Sequence, residues 1–127
     1  MKLKALSFFL LTVLLTAAPH SFAEDQLSVA GKWQVHSSTA GTETDSVCTF
    51  SQNGGDLTGS CNDDQNGEKK ITGKVDGKKV SWTFKSDYNG TPLTVNYEGT
   101  LDGEKIAGTL TVPEFSVEGE FKATKSK

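Results

Sequence analysis

Leu93-Thr-Val-Asn-Tyr-Glu-Gly-Thr-Leu-Asp-Gly-Glu-Lys-Ile-Ala-Gly-Thr-Leu-Thr-Val112 is the stretch that decides the fold. Taken by alternate residues, Leu93, Val95, Tyr97, Gly99 and Leu101 share one face before Asp102-Gly103. Ile106, Gly108, Leu110 and Val112 share the same face after it. The intervening residues are Thr, Asn, Glu, Lys and Ala. Period-two alternation on both sides of an Asp-Gly pair is a strong hairpin signal. A two-residue turn at Asp102-Gly103 sets Gly99 opposite Ile106, Tyr97 opposite Gly108, Val95 opposite Leu110 and Leu93 opposite Val112.

The rest of the chain repeats this unit. Gly73-Lys-Val-Asp-Gly-Lys-Lys-Val80 and Gly99-Thr-Leu-Asp-Gly-Glu-Lys-Ile106 are the same phrase, and Leu57-Thr-Gly59 echoes Ile106-Ala-Gly108. Turn signals at Gly54-Gly55, Asn66-Gly67, Asp76-Gly77, Asn89-Gly90 and Pro113-Glu114 divide the chain into eight strands. The first spans Gly31 to Ser38 and the second Ser46 to Asn53. The third spans Asp56 to Asp63, the fourth Glu68 to Val75 and the fifth Lys79 to Tyr88. The opening hairpin supplies two more, and the last spans Phe115 to Ala123. Ser38 to Asp45 reads as the longest loop and as a contact segment for a protein partner. Turn placement further sets Cys61 near Ile71, Gly73 opposite Val80, Phe84 opposite Val95, Trp82 opposite Tyr97 and Leu110 opposite Val117. No segment after residue 23 shows helical periodicity over three turns.

The start of the chain has a different pattern. Met1-Lys-Leu-Lys4 is a short basic region, Ala5 to Ala18 is apolar, and Ser21-Phe-Ala23 carries small residues where a signal peptidase reads. This is the pattern of a secretory signal cleaved after Ala23, which leaves one domain over residues 24–127 in a periplasmic or extracellular setting. That mature chain has 11 lysines, no arginine and 16 carboxylates, a net charge near −5. The acidic balance and missing arginine argue against nucleic acid and anionic membrane surfaces as partners.

The mature chain contains two cysteines. A turn on Gly54-Gly55 puts Cys48 directly opposite Cys61, where a cross-strand disulfide fits an exported chain. Strand faces then separate apolar from polar residues. Trp33, Val35, Phe50, Ile71, Trp82, Phe84, Tyr97, Phe115 and Phe121 point one way; Lys, Thr, Ser, Glu, Gln and Asn point the other. An outer-membrane barrel needs the reverse arrangement, so membrane insertion is not expected. Eight short strands with one apolar face and no covering helix imply an all-β, antiparallel up-and-down meander barrel, with a two-sheet sandwich as the structural alternative. Gly59, Gly73, Gly99, Gly108 and Gly119 fall on the inward face. They either let strands coil and large neighbours lie across the sheet, or leave a cavity.

Gly31-Lys-Trp33 opening the first strand of a β-meander resembles the calycin group: lipocalins, fatty-acid-binding proteins and avidins. The resemblance covers topology and the Gly-x-Trp motif. It implies that Trp33 closes the barrel floor beneath a basic residue, with Lys122 or Lys125 where lipocalins usually have Arg. The chain is shorter than typical lipocalins and lacks their terminal helix. It also lacks the helical lid and Arg-Tyr clamp of fatty-acid-binding proteins.

Chemistry-bearing patterns are sparse. His36 is the single histidine of the mature chain and points outward. Ser-His-Asp, HExxH and Cys/His zinc spacings are missing, so neither an enzyme nor a metal or other cofactor is expected. The oxygen-rich run Asn62 to Glu68 lacks EF-hand spacing and reads as a turn; Asn89-Gly-Thr91 is first a hairpin turn and second a glycosylation sequon. The functional expectation is a non-enzymatic barrel holding a small, largely apolar ligand, with Trp33, Phe50, Trp82, Phe84, Tyr97 and Phe121 as wall and Ser86 near the mouth. The rival is a filled barrel acting through its surface as an inhibitor or envelope component.

Overall fold

The computed structural model describes residues 28–63 and 67–127. The expected signal peptide, its cleavage point after Ala23, and Asp64 to Asn66 lie outside the described residues. Eight antiparallel strands follow one another around a closed barrel: β1 (Gly31–Thr39), β2 (Thr42–Asn53), β3 (Asp56–Asp63), β4 (Gly67–Asp76), β5 (Lys79–Tyr88), β6 (Thr91–Asp102), β7 (Lys105–Val112) and β8 (Val117–Lys125). Every strand pairs with its sequence neighbours, and β8 returns to β1 with Val35 opposite Ala123 and His36 opposite Lys122. Closure removes the two free outer strands that an open sheet would have, and the barrel's shortest ladder, β4 with β5, runs only from Asp76–Lys79 to Thr72–Thr83.

Two hairpins have the expected register. Asn53 faces Asp56 across Gly54-Gly55, and Cys48 faces Cys61. Trp82 faces Tyr97 and Phe84 faces Val95 across Asn89-Gly90, whose two central residues both have positive φ.

Four other hairpins differ from the expected register by two residues. At the two Asp-Gly sites the carboxylate is not a central turn residue. Asp76 pairs with Lys79 and Asp102 with Lys105, so the turns are Gly77-Lys78 and Gly103-Glu104. Only the glycine has positive φ in each, 58° and 62°. That is the type II′ pattern, with Gly first, in place of the type I′ pattern with Asp-Gly at the centre. Gly73 therefore faces Trp82, and Gly99 faces Gly108. Gly67 (φ 72°) begins the β4 ladder opposite Asp63, so Gly59 faces Ile71. Between β7 and β8 the chain makes a 3-10 turn, Pro113–Phe115, followed by left-handed Ser116 at φ 51°. Leu110 consequently faces Gly119, not Val117. Because side chains alternate with period two, a two-residue slip leaves every residue on its face. Phe115 alone moves: expected inward as the start of the last strand, it sits in the 3-10 turn and is 48% exposed.

The expected Ser38–Asp45 loop is instead ladder. β1 runs to Thr39 and β2 begins at Thr42, leaving only Ala40-Gly41 to turn the chain, at φ 50° and 79°. Alanine rarely takes this conformation, so the sequence hides the turn.

Candidate functional site

The alternation of strand directions gives the barrel a closed end, at the turns after β2, β4 and β6 and the chain terminus, and an open end, at the turns after β1, β5 and β7. The closed end is sealed by backbone bonds between successive hairpins. Val75 N–H donates to Gly55 O at 2.9 Å, Leu101 N–H to Lys78 O at 2.7 Å and Lys125 N–H to Glu104 O at 2.9 Å. Trp33 is fully buried there and its indole N–H donates to Val29 O at 2.9 Å. Val29 N–H in turn donates to Gln52 Oε1 at 2.8 Å. Lys125 Nζ lies 6.0 Å from the Trp33 ring centroid, so the cap over the floor is Lys125. Val29 was outside the expected core, since it precedes the first alternating residues.

Above this floor the aromatic side chains meet one another. Trp82 stacks on its cross-strand partner Tyr97, with centroids 4.8 Å apart and planes 9° from parallel. Phe50 lies 5.0 Å from Trp82 and Phe121 5.2 Å from it. Phe121 also meets the Tyr97 ring edge-on at 5.1 Å. Such pairs contribute about 0.5–1.5 kcal/mol each beyond the area they bury. The Trp82 indole nitrogen is buried within this cluster and has no hydrogen-bond partner.

The inward glycines serve this packing. A Cβ on Gly73 would fall 2.0 Å from Ser81 O, and one on Gly108 1.9 Å from Glu98 O. On Gly99 it would meet Ile106 and Phe121 side chains at 2.8 Å. The space a Cβ would need at these glycines is already taken by the adjacent strand or by neighbouring side chains, so they allow close strand crossing.

The open end is looser. Tyr97 OH and Ser37 Oγ are 3.4 Å apart beneath it. Burial pushes the Tyr97 phenol above its ordinary value, the Ser37 hydrogen bond pulls it down, and the Asp63 charge pushes it up. The cavity here is about 70 Å³, lined by Ser46, Asp63, Lys69, Phe84, Ser86 and Tyr97 among others. At roughly 30 Å³ per liquid water it has room for about two waters, against the roughly 300 Å³ or more of a ligand pocket. Larger hollows, about 490 Å³ beside His36 and about 510 Å³ beside Glu98, are troughs on the outer wall. Of the expected wall residues, Phe50, Trp82, Tyr97 and Phe121 are brought together, Phe84 and Ser86 reach the mouth, and Trp33 belongs to the floor.

The rim carries what sequence reasoning missed. Tyr88, at the end of β5, and Phe115 meet edge to face, centroids 6.2 Å apart and planes at 88°. They are 61% and 48% exposed. The turn presenting Phe115 is pinned by its neighbour Glu114. Thr94 N–H donates to Glu114 Oε1 at 2.9 Å, and Thr94 Oγ1 donates to Oε2 at 2.8 Å. These bonds, the backbone one foremost, hold the Glu114 carboxyl below its usual range. Pro113 was a readable turn signal, but nothing in the local pattern reports that the next residues leave the ladder.

His36, on the outer wall, shares a 2.6 Å hydrogen bond between Nδ1 and Asp45 Oδ1, and its Nε2 lies 3.7 Å from Glu43. Among the described residues, no group of three or more His, Cys, Asp or Glu side chains is placed to hold a metal ion. A disulfide joins Cys48 to Cys61 across β2 and β3. No family model matches the chain, and no curated protein matches it. The closed eight-stranded up-and-down barrel, consistent with a calycin-like fold, is what the geometry establishes.

Proposed function

We propose that this barrel is a non-catalytic interaction module of an oxidising, extracytoplasmic compartment, and that it engages a protein partner through its open rim. The observation that carries the reading is the exposed Tyr88–Phe115 pair, held on a pinned turn above a barrel whose interior is filled by its own aromatic side chains. Exposed aromatic residues clustered on a rigid support are the usual anchors of protein interfaces. The filled interior supports this reading over carriage of an apolar ligand, because Trp82 and Tyr97 already occupy each other's faces. The Cys48–Cys61 disulfide supports the compartment. Trp33 beneath Lys125 at the floor supports a calycin-like barrel, with Lys where lipocalins usually have Arg. His36, the sole mature histidine, makes its side-chain contacts with Asp45 and Glu43 on the outer wall, an arrangement that supplies no general base to a nucleophile.

The test is a photo-crosslinking residue placed at Phe115 and, separately, at Lys78 on the closed end, in the native host. A discrete adduct from position 115 and none from position 78 supports the rim. Adducts from the closed end alone, or from neither site, overturn it.

A further inference from the structure

We infer that the partner presents a basic surface to the open rim, a deduction that rests on the interaction reading above. The two ends of the barrel differ in charge. Segments 36–47, 60–70, 84–95 and 109–120 form the open half. Its described residues carry eight carboxylates against three lysines, Lys69, Lys70 and Lys85. The remaining described residues form the closed half and carry five carboxylates against eight lysines. The net charges are therefore −5 and +3, separated along the barrel axis. Exposed carboxylates adjoin the aromatic pair in sequence: Asp87 precedes Tyr88, Glu114 precedes Phe115, and Glu118 follows on β8.

This separation has an electrostatic consequence. At physiological ionic strength charges are screened over about 8 Å. A partner approaching the rim feels the open half and not the lysines at the other end. Opposite charge accelerates encounter and fixes orientation, while like charge is rejected. Lys85 keeps its charge, which the balance of −5 already includes, and its Nζ donates to Thr94 Oγ1 at 2.6 Å. The aromatic pair supplies apolar area at the centre and the carboxylates a charged border. The complementary surface is one with lysine or arginine around an apolar side chain. A nucleic acid or an anionic membrane would be repelled from this end.

The experiment uses the full mature, disulfide-bonded protein, isotopically labelled for amide NMR. The probes are a synthetic peptide of lysine, leucine and glycine and its counterpart with glutamate for lysine. The lysine peptide is expected to shift the amides of Tyr88, Phe115 and Glu118, with affinity falling about tenfold between about 50 and 200 mM salt. Two variants change net charge equally: Asp87→Lys with Glu118→Lys at the rim, and Asp102→Lys with Glu104→Lys at the closed end. The first is expected to weaken binding about tenfold or more and the second less than about twofold. Equal weakening by both pairs overturns the inference, since only total charge would then matter. Rim shifts with the glutamate peptide overturn the basic partner while leaving the rim as the docking face. No rim shift with either peptide overturns the basic partner, and crosslinking at Phe115 then judges the rim separately.

Discussion

Gly108→Ala is the substitution that most sharply tests the close approach of β6 and β7. Gly108 faces Gly99 across β6 and β7, the one place in that hairpin where both partners lack a side chain. A Cβ at Gly108 would lie 1.9 Å from Glu98 O, 2.5 Å from Gly99 Cα and 2.8 Å from Glu98 C. All three are backbone atoms, so no rotamer change relieves them. Ordinary contact begins near 3.4 Å, which leaves a shortfall of about 1.5 Å that only strand separation removes. Moving β6 from β7 by that amount weakens two or three ladder bonds, at about 0.5–1.5 kcal/mol each. Overpacking costs a further ~1–3 kcal/mol. The expected loss is about 3–5 kcal/mol, a fall in Tm of at least ~12 °C for a domain of this size. Gly41→Ala is the internal control. Its Cβ meets nothing within 4 Å, but its φ is 79°, so it pays only the left-handed penalty, about 1–2 kcal/mol. Urea unfolding of the oxidised protein, followed by the fluorescence of Trp33 and Trp82, measures both. If Gly108→Ala costs less than Gly41→Ala, β6 and β7 have slack, and close strand approach is not what Gly108 serves.

Other outcomes follow from the same structure. Phe115→Ala should change stability by less than about 0.5 kcal/mol, because the ring is half exposed, while removing most partner crosslinking from a photo-crosslinking residue moved to Tyr88. Opening the Cys48–Cys61 bond, by reduction or by paired Cys→Ala changes, should cost about 3 kcal/mol in denaturant unfolding, and non-reducing peptide mapping should link these two residues. His36 should titrate above its ordinary 6.5, because its hydrogen bond to Asp45 favours the charged ring. The stability this pair adds is complete below 6.5 and is lost as pH rises through the folded value. An NMR titration reads it, and Asp45→Asn should return the midpoint toward 6.5. The Glu114 carboxyl should titrate below the ordinary range, so its hold on the Phe115 turn should persist on acidification until that lower pH; Thr94→Ala should raise its midpoint.

The faces of the barrel were legible because they rest on parity alone. Trp82, Tyr97, Phe121 and their neighbours alternate with polar residues, and an error of two positions in a turn does not alter which side a residue takes. Register was less legible because Asp-Gly supports two turn types that differ by one residue in where the turn is centred. Nothing local to Asp76 or Asp102 reveals that glycine comes first. Ala40 gave no sign of its left-handed backbone, so a tight turn passed as a loop. Trp82 opposite Tyr97 was legible from the Asn89-Gly90 turn, but the approach of Phe50 and Phe121 to that pair joins β2 and β8 to β5, strands that are not neighbours, and leaves no local signal. The Tyr88–Phe115 pair was not legible, since it joins the end of β5 to a turn that departs from the alternating pattern.

Native mass spectrometry of the mature protein purified from its own host tests most directly whether the barrel is filled by its own side chains. The expected spectrum is the bare, oxidised polypeptide across repeated preparations, alone or with a protein partner. A reproducible stoichiometric adduct of a small apolar molecule, displaced when Trp82 or Tyr97 is altered, would contradict it.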